Sequence, residues 1–154
     1  MTLPLPEELR EFDRSLPMLL LKARESVMRN FLPSLREHDL SAQQWRVLRA
    51  LIEQDERDAS DISERCAILL PSLSRILQNL DRRGLISRKT CGADQRRSLI
   101  TISKKGRRLV EKIAPVSEER YRDITERFGA DNLDALHALL DQLIDSMEAD
   151  DPGR

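Results

Sequence analysis

Pro71-Ser72-Leu73-Ser74-Arg75-Ile76-Leu77-Gln78-Asn79-Leu80-Asp81-Arg82-Arg83-Gly84-Leu85-Ile86-Ser87-Arg88-Lys89-Thr90 is the stretch whose reading decides the fold. Leu73, Ile76, Leu77 and Leu80 recur at i, i+3, i+4 and i+7, which places one apolar stripe on a helix. Pro71 falls in the first turn, where its missing N–H costs little, and Gly84 supplies a left-handed stop. The outward positions Ser72, Ser74, Arg75, Gln78, Asn79 and Arg82 are small polar or cationic. Immediately after Gly84 the period changes. Residues 85–90 and 99–103 read as two short strands rich in β-branched side chains, and the polar segment 91–98 joins them as a hairpin.

Upstream of this stretch the chain is helical. Ser41 followed by Gln44 reads as a capping box, opening a helix with Trp45, Leu48, Leu51 and Ile52 on its inner face. Residues 54–58 read as a polar loop. Asp58 or Ser60 then opens a short helix carrying Ile62 and Cys66 and ending near Ala67. Toward the N-terminus, Leu16, Leu19, Leu20, Ala23, Val27 and Phe31 form one stripe, with Ser15 as N-cap and Pro17 in the first turn. Residues 7–14 are a separate short helix or lead-in, Pro33 marks an irregularity, and the helix is expected to end near Asp39. Beyond the hairpin, Ser103 caps a long helix with Gly106 in its first turn, a kink at Pro115 and an end at Phe128-Gly129. Asp131 or Asn132 is expected to cap a last helix whose broad apolar face runs from Leu133 to Met147. The tail 149–154 reads as disordered.

Charge places the function. The 154 residues carry 26 Lys and Arg against 27 Asp and Glu, a net charge of −1. That near-neutrality is a cancellation: residues 1–74 sum to −3, residues 75–108 to +9 and residues 109–154 to −7. A block of that sign with only Asp81 and Asp94 as acids is the footprint of a polyanion-binding face. Five aromatics (Phe12, Phe31, Trp45, Tyr121, Phe128) are too few for a module that stacks bases. Helix, short helix, polar-faced helix and basic hairpin together read as a helix-turn-helix extended by a wing. Pro71, Ser72, Ser74, Arg75, Gln78 and Asn79 are expected in a major groove, and Arg88, Lys89, Arg96 and Arg97 on phosphates and the adjacent minor groove. Asp94 is expected to brace a wing Arg, because a free carboxylate would repel phosphate.

Other chemistries find little support. His38 and His137 lie far apart, with no nucleophile motif, phosphate loop or metal-ligand spacing, so neither catalytic nor metal residues nor a cofactor are expected. Two Cys make no disulfide framework and point to a reducing, cytoplasmic setting, and no apolar run is long enough for a membrane span or secretory segment. Cys91, at the wing base near Arg88, Lys89 and Arg96, keeps thiol-redox sensing as an alternative. A winged helix that binds an acidic protein partner is the other alternative.

Three stretches carry a family resemblance. They are Leu40-Ser41-Ala42-Gln43-Gln44-Trp45-Arg46-Val47-Leu48, the 71–86 segment quoted above, and Asp94-Gln95-Arg96 with Ile102-Ser103-Lys104-Lys105-Gly106. The chain resembles the MarR family of winged-helix transcriptional regulators over nearly its whole length. Within that family, Leu20-Leu21-Lys22-Ala23-Arg24-Glu25, Gln43-Gln44-Trp45-Arg46, Cys66-Ala67-Ile68-Leu69 and Asp94-Gln95-Arg96-Arg97 are most like repressors of an aromatic-acid catabolic operon. The resemblance implies a mainly α fold with a small β-hairpin wing and a single MarR-type domain over 1–154. A DNA-binding lobe over 41–103 would be flanked by dimerisation helices in 7–39 and 104–148. It also implies a homodimer, a pseudo-palindromic double-stranded operator and release by a small aromatic or phenolic acid. An effector acid needs a cation beside an apolar wall, for which Arg24, Met28, Trp45, Arg46 and Cys66 are the candidates.

Overall fold

A computed structural model describes residues 7, 9–54, 56–90 and 98–149. A 3-10 turn at Phe12–Arg14 leads into α1 (Leu16–Met28), followed by α2 (Leu32–Glu37), α3 (Ala42–Glu53), β1 (Arg57–Asp58), α4 (Ala59–Cys66) and α5 (Leu70–Arg82). Then come β2 (Ile86–Thr90), β3 (Ser98–Ile102), α6 (Lys104–Phe128) and α7 (Ala130–Glu148). The mainly α architecture with a small antiparallel sheet is the one expected. Two compact units divide at Pro115, one ending there and the other beginning at Val116.

In the first unit, Leu35, Val47, Leu48, Leu51, Ile62, Leu73, Leu80, Ile100 and Ile113 are almost wholly buried and make one core. The capping box forms as expected: Ser41 Oγ accepts from the Gln44 N–H, and the Ser41 N–H donates to Gln44 Oε1 at 2.9 Å. The α5 helix ends on Gly84 at φ +72°. There the Gly84 N–H donates to the Asp81 carbonyl and the Leu85 N–H to the Leu80 carbonyl, so two of the last carbonyls are satisfied. The same left-handed stop ends α2 at Asp39 (φ +54°) and α4 at Ala67 (φ +50°). Ser103 Oγ accepts from the Gly106 N–H at 3.0 Å and donates to the Gly84 carbonyl at 2.6 Å, so one hydroxyl opens α6 and pins it to the end of α5.

Four local expectations are corrected. The 54–58 stretch is not all loop: Arg57 pairs with Ile100 and Asp58 with Leu99, giving a sheet of order β1-β3-β2. The first helix does not continue to Asp39, because the chain turns after Met28 and restarts at Leu32 with Pro33 in the new first turn. Ser15 holds the N-cap position of α1, but its hydroxyl donates back to the Phe12 carbonyl at 3.0 Å instead of capping. The last helix is opened by Gly129 at φ +97°, not by Asp131 or Asn132, and the Asn132 amide donates back to the Phe128 carbonyl. The tail beyond residue 149 lies outside the described residues.

Candidate nucleic-acid interface

The α5 helix is fixed by its buried side, where Leu73, Ile76, Leu77 and Leu80 face the core. Its other side therefore presents a defined row: Pro71, Ser72, Ser74, Arg75 and Gln78 are all exposed. Hydroxyls, an amide and a guanidinium at these positions are the groups that read base edges or hold phosphates in a major groove. Among the described residues no side chain caps the α5 N-terminus.

Asn79 is different. It is half-buried, and its Oδ1 accepts from Gln44 Nε2 at 2.8 Å. Gln44 thereby closes the capping box of α3 with one end of its amide and holds α5 with the other. In the β-hairpin, β2 and β3 pair antiparallel from Ile86↔Ile102 to Thr90↔Ser98. Arg88 and Lys89 are exposed on β2, and the Arg88 guanidinium lies 3.8 Å from the Asp81 carboxylate. Cys91, Asp94, Arg96 and Arg97 lie outside the described residues.

Two members of the basic block have work inside the fold that the sequence did not signal. Arg83, the C-cap of α5, donates to the Asp39 carbonyl at 2.8 Å and to the His38 carbonyl at 3.2 Å. Lys105 donates to the Arg83 carbonyl at 2.9 Å. Both cations serve helix ends, where carbonyls and the dipole favour positive charge.

The effector candidates are brought together only in part. The Arg46 guanidinium donates to the Cys66 carbonyl at 2.7 Å, and the Cys66 thiol donates back to the Arg46 carbonyl at 3.7 Å. Burial, and then the Arg24 charge, push the Arg46 pKa down, while the Arg24 guanidinium itself pairs with the Glu25 carboxylate at 3.3 Å. Burial pushes the Cys66 thiol up, against the opposing pull of Arg46 and its neighbours. A cleft of about 170 Å³ is lined by Arg46, Arg49, Ala50, Glu53, Arg65 and Cys66. Arg49 and Arg65 both pair with Glu53, whereas Arg46 has no carboxylate partner among the described residues. Trp45 is half-buried against the core, Met28 is half-buried on α1, and neither lines this cleft.

Helix α1 buries none of its residues and exposes Leu16, Leu20, Leu21 and Val27. In the second unit, α7 likewise buries none and exposes Leu136, Leu139, Ile144 and Met147. Among the described residues, no helix is long and apolar enough to cross a membrane, and no group of His, Cys, Asp and Glu could hold a metal.

A recognition helix with a polar outer row, preceded by a short helix and followed by a basic strand pair, defines a winged helix-turn-helix. The MarR family model matches residues 38–97. The chain belongs to the MarR family and is a DNA-binding transcriptional regulator. It is similar to the homoprotocatechuate degradative operon repressor of Escherichia coli, 39% identical over 142 residues that cover 90% of this chain and 96% of that protein. A solved structure of NadR in complex with 4-hydroxyphenylacetate matches at a TM-score of 0.78 and 32% identity, over 88% of this chain and 98% of that one. The transcriptional repressor CouR, bound to a 23-mer DNA duplex, matches at a TM-score of 0.77 and 28% identity, over 90% and 99%.

Proposed function

We propose that this chain is a homodimeric repressor of an aromatic-acid catabolic operon, released from its operator by a small phenolic or aromatic carboxylate. The observation that carries the reading is the α5 row of Pro71, Ser72, Ser74, Arg75 and Gln78, held outward by four buried aliphatic residues. Ser72, Ser74, Arg75 and Gln78 contact base edges, while Arg88, Lys89, Arg96 and Arg97 hold backbone and minor groove. Asn79 presents its amide N–H groups, with Gln44 bonded to its oxygen. Asp94 steadies a wing Arg. The uncovered apolar faces of α1 and α7 support a second copy as partner, since a lone chain would leave them in water. Two recognition helices then meet half-sites about one turn (~34 Å) apart on a pseudo-palindrome.

The effector binds where the Arg24 and Arg46 charges converge, with Trp45, Met28 and Cys66 as apolar wall. Support comes from Arg46, whose charge is held near a like charge and met by a carbonyl rather than a carboxylate. A carboxylate placed there relieves that repulsion. The NadR complex and the homoprotocatechuate repressor make a phenolic acid the first ligand to try. The protein works in the cytoplasm without a cofactor and catalyses no reaction.

Fluorescence anisotropy with labelled DNA from upstream of the gene tests this. Binding should fall steeply with salt, as phosphate neutralisation demands. Ser74→Ala and Arg75→Ala should relax sequence preference, and Arg96→Ala should weaken all duplexes alike. Added 4-hydroxyphenylacetate or homoprotocatechuate should release the duplex. Absence of release by either acid removes the effector reading, and undiminished binding by all three variants removes the DNA assignments.

A further inference from the structure

The operator reading uses Arg75, Arg88, Lys89, Arg96 and Arg97 and leaves the cations at the start of α6 outside it. Lys104, Lys105, Arg107 and Arg108 open α6, whose first turn holds no acid. Positive charge there is unfavourable for the helix itself, so helix stability is not the reason for it. On this side of the first unit lies a cleft of about 310 Å³. Leu85 and Leu109 line it with apolar surface, and His38, Arg83, Lys105, Arg108 and Lys112 supply the remainder. Among the described residues no carboxylate lines it. Arg83 and Lys105 are pinned by their bonds to backbone carbonyls, which fixes two positive charges at the wall. Arg108 and Lys112, one helical turn apart, are exposed and have no ion-pair partner among the described residues.

We propose that this cleft is a second ligand site, for a small anion with an apolar body such as a one-ring aryl carboxylate. The volume lies at the lower end of small-molecule pockets, large enough for one ring and its acid group. Leu109 takes the ring above the buried Leu85, while Arg108 and Lys112 close on the carboxylate with Arg83 and Lys105 behind it. The site is separate from the Arg24–Arg46 region, sharing no lining residue with the cleft beside Cys66. It lies at the C-terminal end of α5, where Arg83 follows the last residue of the exposed row, Gln78, by about 8 Å along the axis at the usual rise, and the start of the helix by about 19 Å. A concave wall with an apolar floor suits a small ligand better than the convex backbone of a duplex.

Amide NMR of the full-length protein, titrated with benzoate, benzamide and inorganic phosphate, tests the site. Benzoate should shift the Leu85 and Leu109 amides saturably, and R108Q/K112Q should weaken that effect by about tenfold or more. Both positions are exposed, so the variant keeps its fold, which its thermal midpoint checks. Benzamide lacks the charge and phosphate lacks the ring, so each should bind more weakly than benzoate. The proposal falls if these amides do not respond, if R108Q/K112Q responds like wild type, or if phosphate matches benzoate. It also falls if the double variant loses only operator affinity while its benzoate response is intact, which would make the cleft a phosphate contact. Shifts near Arg46 and Cys66 read the proposed effector cleft independently, so failure of one site is distinguishable from failure of the other.

Discussion

Replacing Gly106 with alanine adds one carbon where α6 crosses the start of β2. A Cβ built there lies 2.1 Å from the Leu85 carbonyl oxygen, 2.8 Å from Ile102 Cγ1 and 3.1 Å from the Leu85 carbonyl carbon. An ordinary carbon–oxygen contact is about 3.3 Å, so the overlap is roughly 1.2 Å. Relief cannot come from a flexible side chain, because the obstacle is backbone. That carbonyl also accepts the Ser103 N–H at 3.0 Å, and the Gly106 N–H is itself held by Ser103 Oγ.

Two effects oppose each other in Gly106→Ala. An exposed helix glycine gains about 1 kcal/mol on becoming alanine. Overpacking a tight site costs about 1–3 kcal/mol and sits at the upper end when the neighbour is main chain. The structure puts the clash ahead, with a net loss of about 2 kcal/mol. For a chain of this size that lowers the thermal midpoint by about 4–8 °C. Because the displaced carbonyl belongs to the residue joining α5 to β2, the wing moves with it, and operator affinity should fall beyond what unfolding accounts for. Urea unfolding and anisotropy on the same preparations measure both. A Gly106→Ala protein as stable as wild type, or more so, would refute the close approach and with it the claim that this glycine sets the wing.

Ser103→Ala removes both bonds of the hydroxyl that joins Gly84 to Gly106, with an expected loss of about 1–2 kcal/mol, whereas Ser103→Thr should retain stability in urea melts. Gln44→Leu opens the capping box and frees Asn79, so stability should drop by about 1–2 kcal/mol. Its ratio of operator to scrambled-duplex affinity should drop too, and an unchanged ratio would make the Gln44–Asn79 bond irrelevant to α5 placement. Cys66 gives a pH signature. Below the ordinary thiol value of 9.0, native and unfolded chains both keep the proton, so its contribution is fully present. Above it the unfolded thiol ionises first, and stability is lost as pH rises toward the higher native value. Stability curves of wild type and Cys66→Ala from pH 8 upward should therefore converge in the alkaline range, and parallel curves would contradict the burial. The same burial predicts that native Cys66 resists alkylation, whereas a redox-sensing Cys66 would be labelled readily.

What the sequence made legible is what neighbours along the chain decide. The Ser41–Gln44 capping box, the α5 stripe and its Gly84 stop each rest on residues within a turn or two, and each forms as expected. Features that depend on distant partners did not announce themselves. Two polar residues, Arg57 and Asp58, show no alternation and become a strand only because β3 offers an edge. Asp39 and Ala67 adopt the conformation that favours glycine without being glycine, held by the carbonyls and buried side chains around them. Gly129 ends one helix and opens the next, which left no place for the separate cap expected at Asp131 or Asn132. At the effector candidates, periodicity could put Arg24 and Arg46 on their helices but could not bring α1 near the α3–α4 junction.

Charge shows the same division more sharply. A count along the sequence finds +9 in residues 75–108, and the recognition helix and wing lie within it. The count treats every cation as available to DNA. Two are not, because Arg83 and Lys105 bond backbone carbonyls at helix ends, and a carbonyl lone pair leaves no trace in net charge. Arg88 is partly offset by Asp81, and Lys104 and Arg108 stand at the opening of α6 rather than in the α5 row. On the proposed operator reading, the charge left for DNA is therefore smaller than the block suggests. The salt dependence of operator binding should accordingly fall with Arg75→Ala and not with Lys105→Ala, whose loss should register in stability instead.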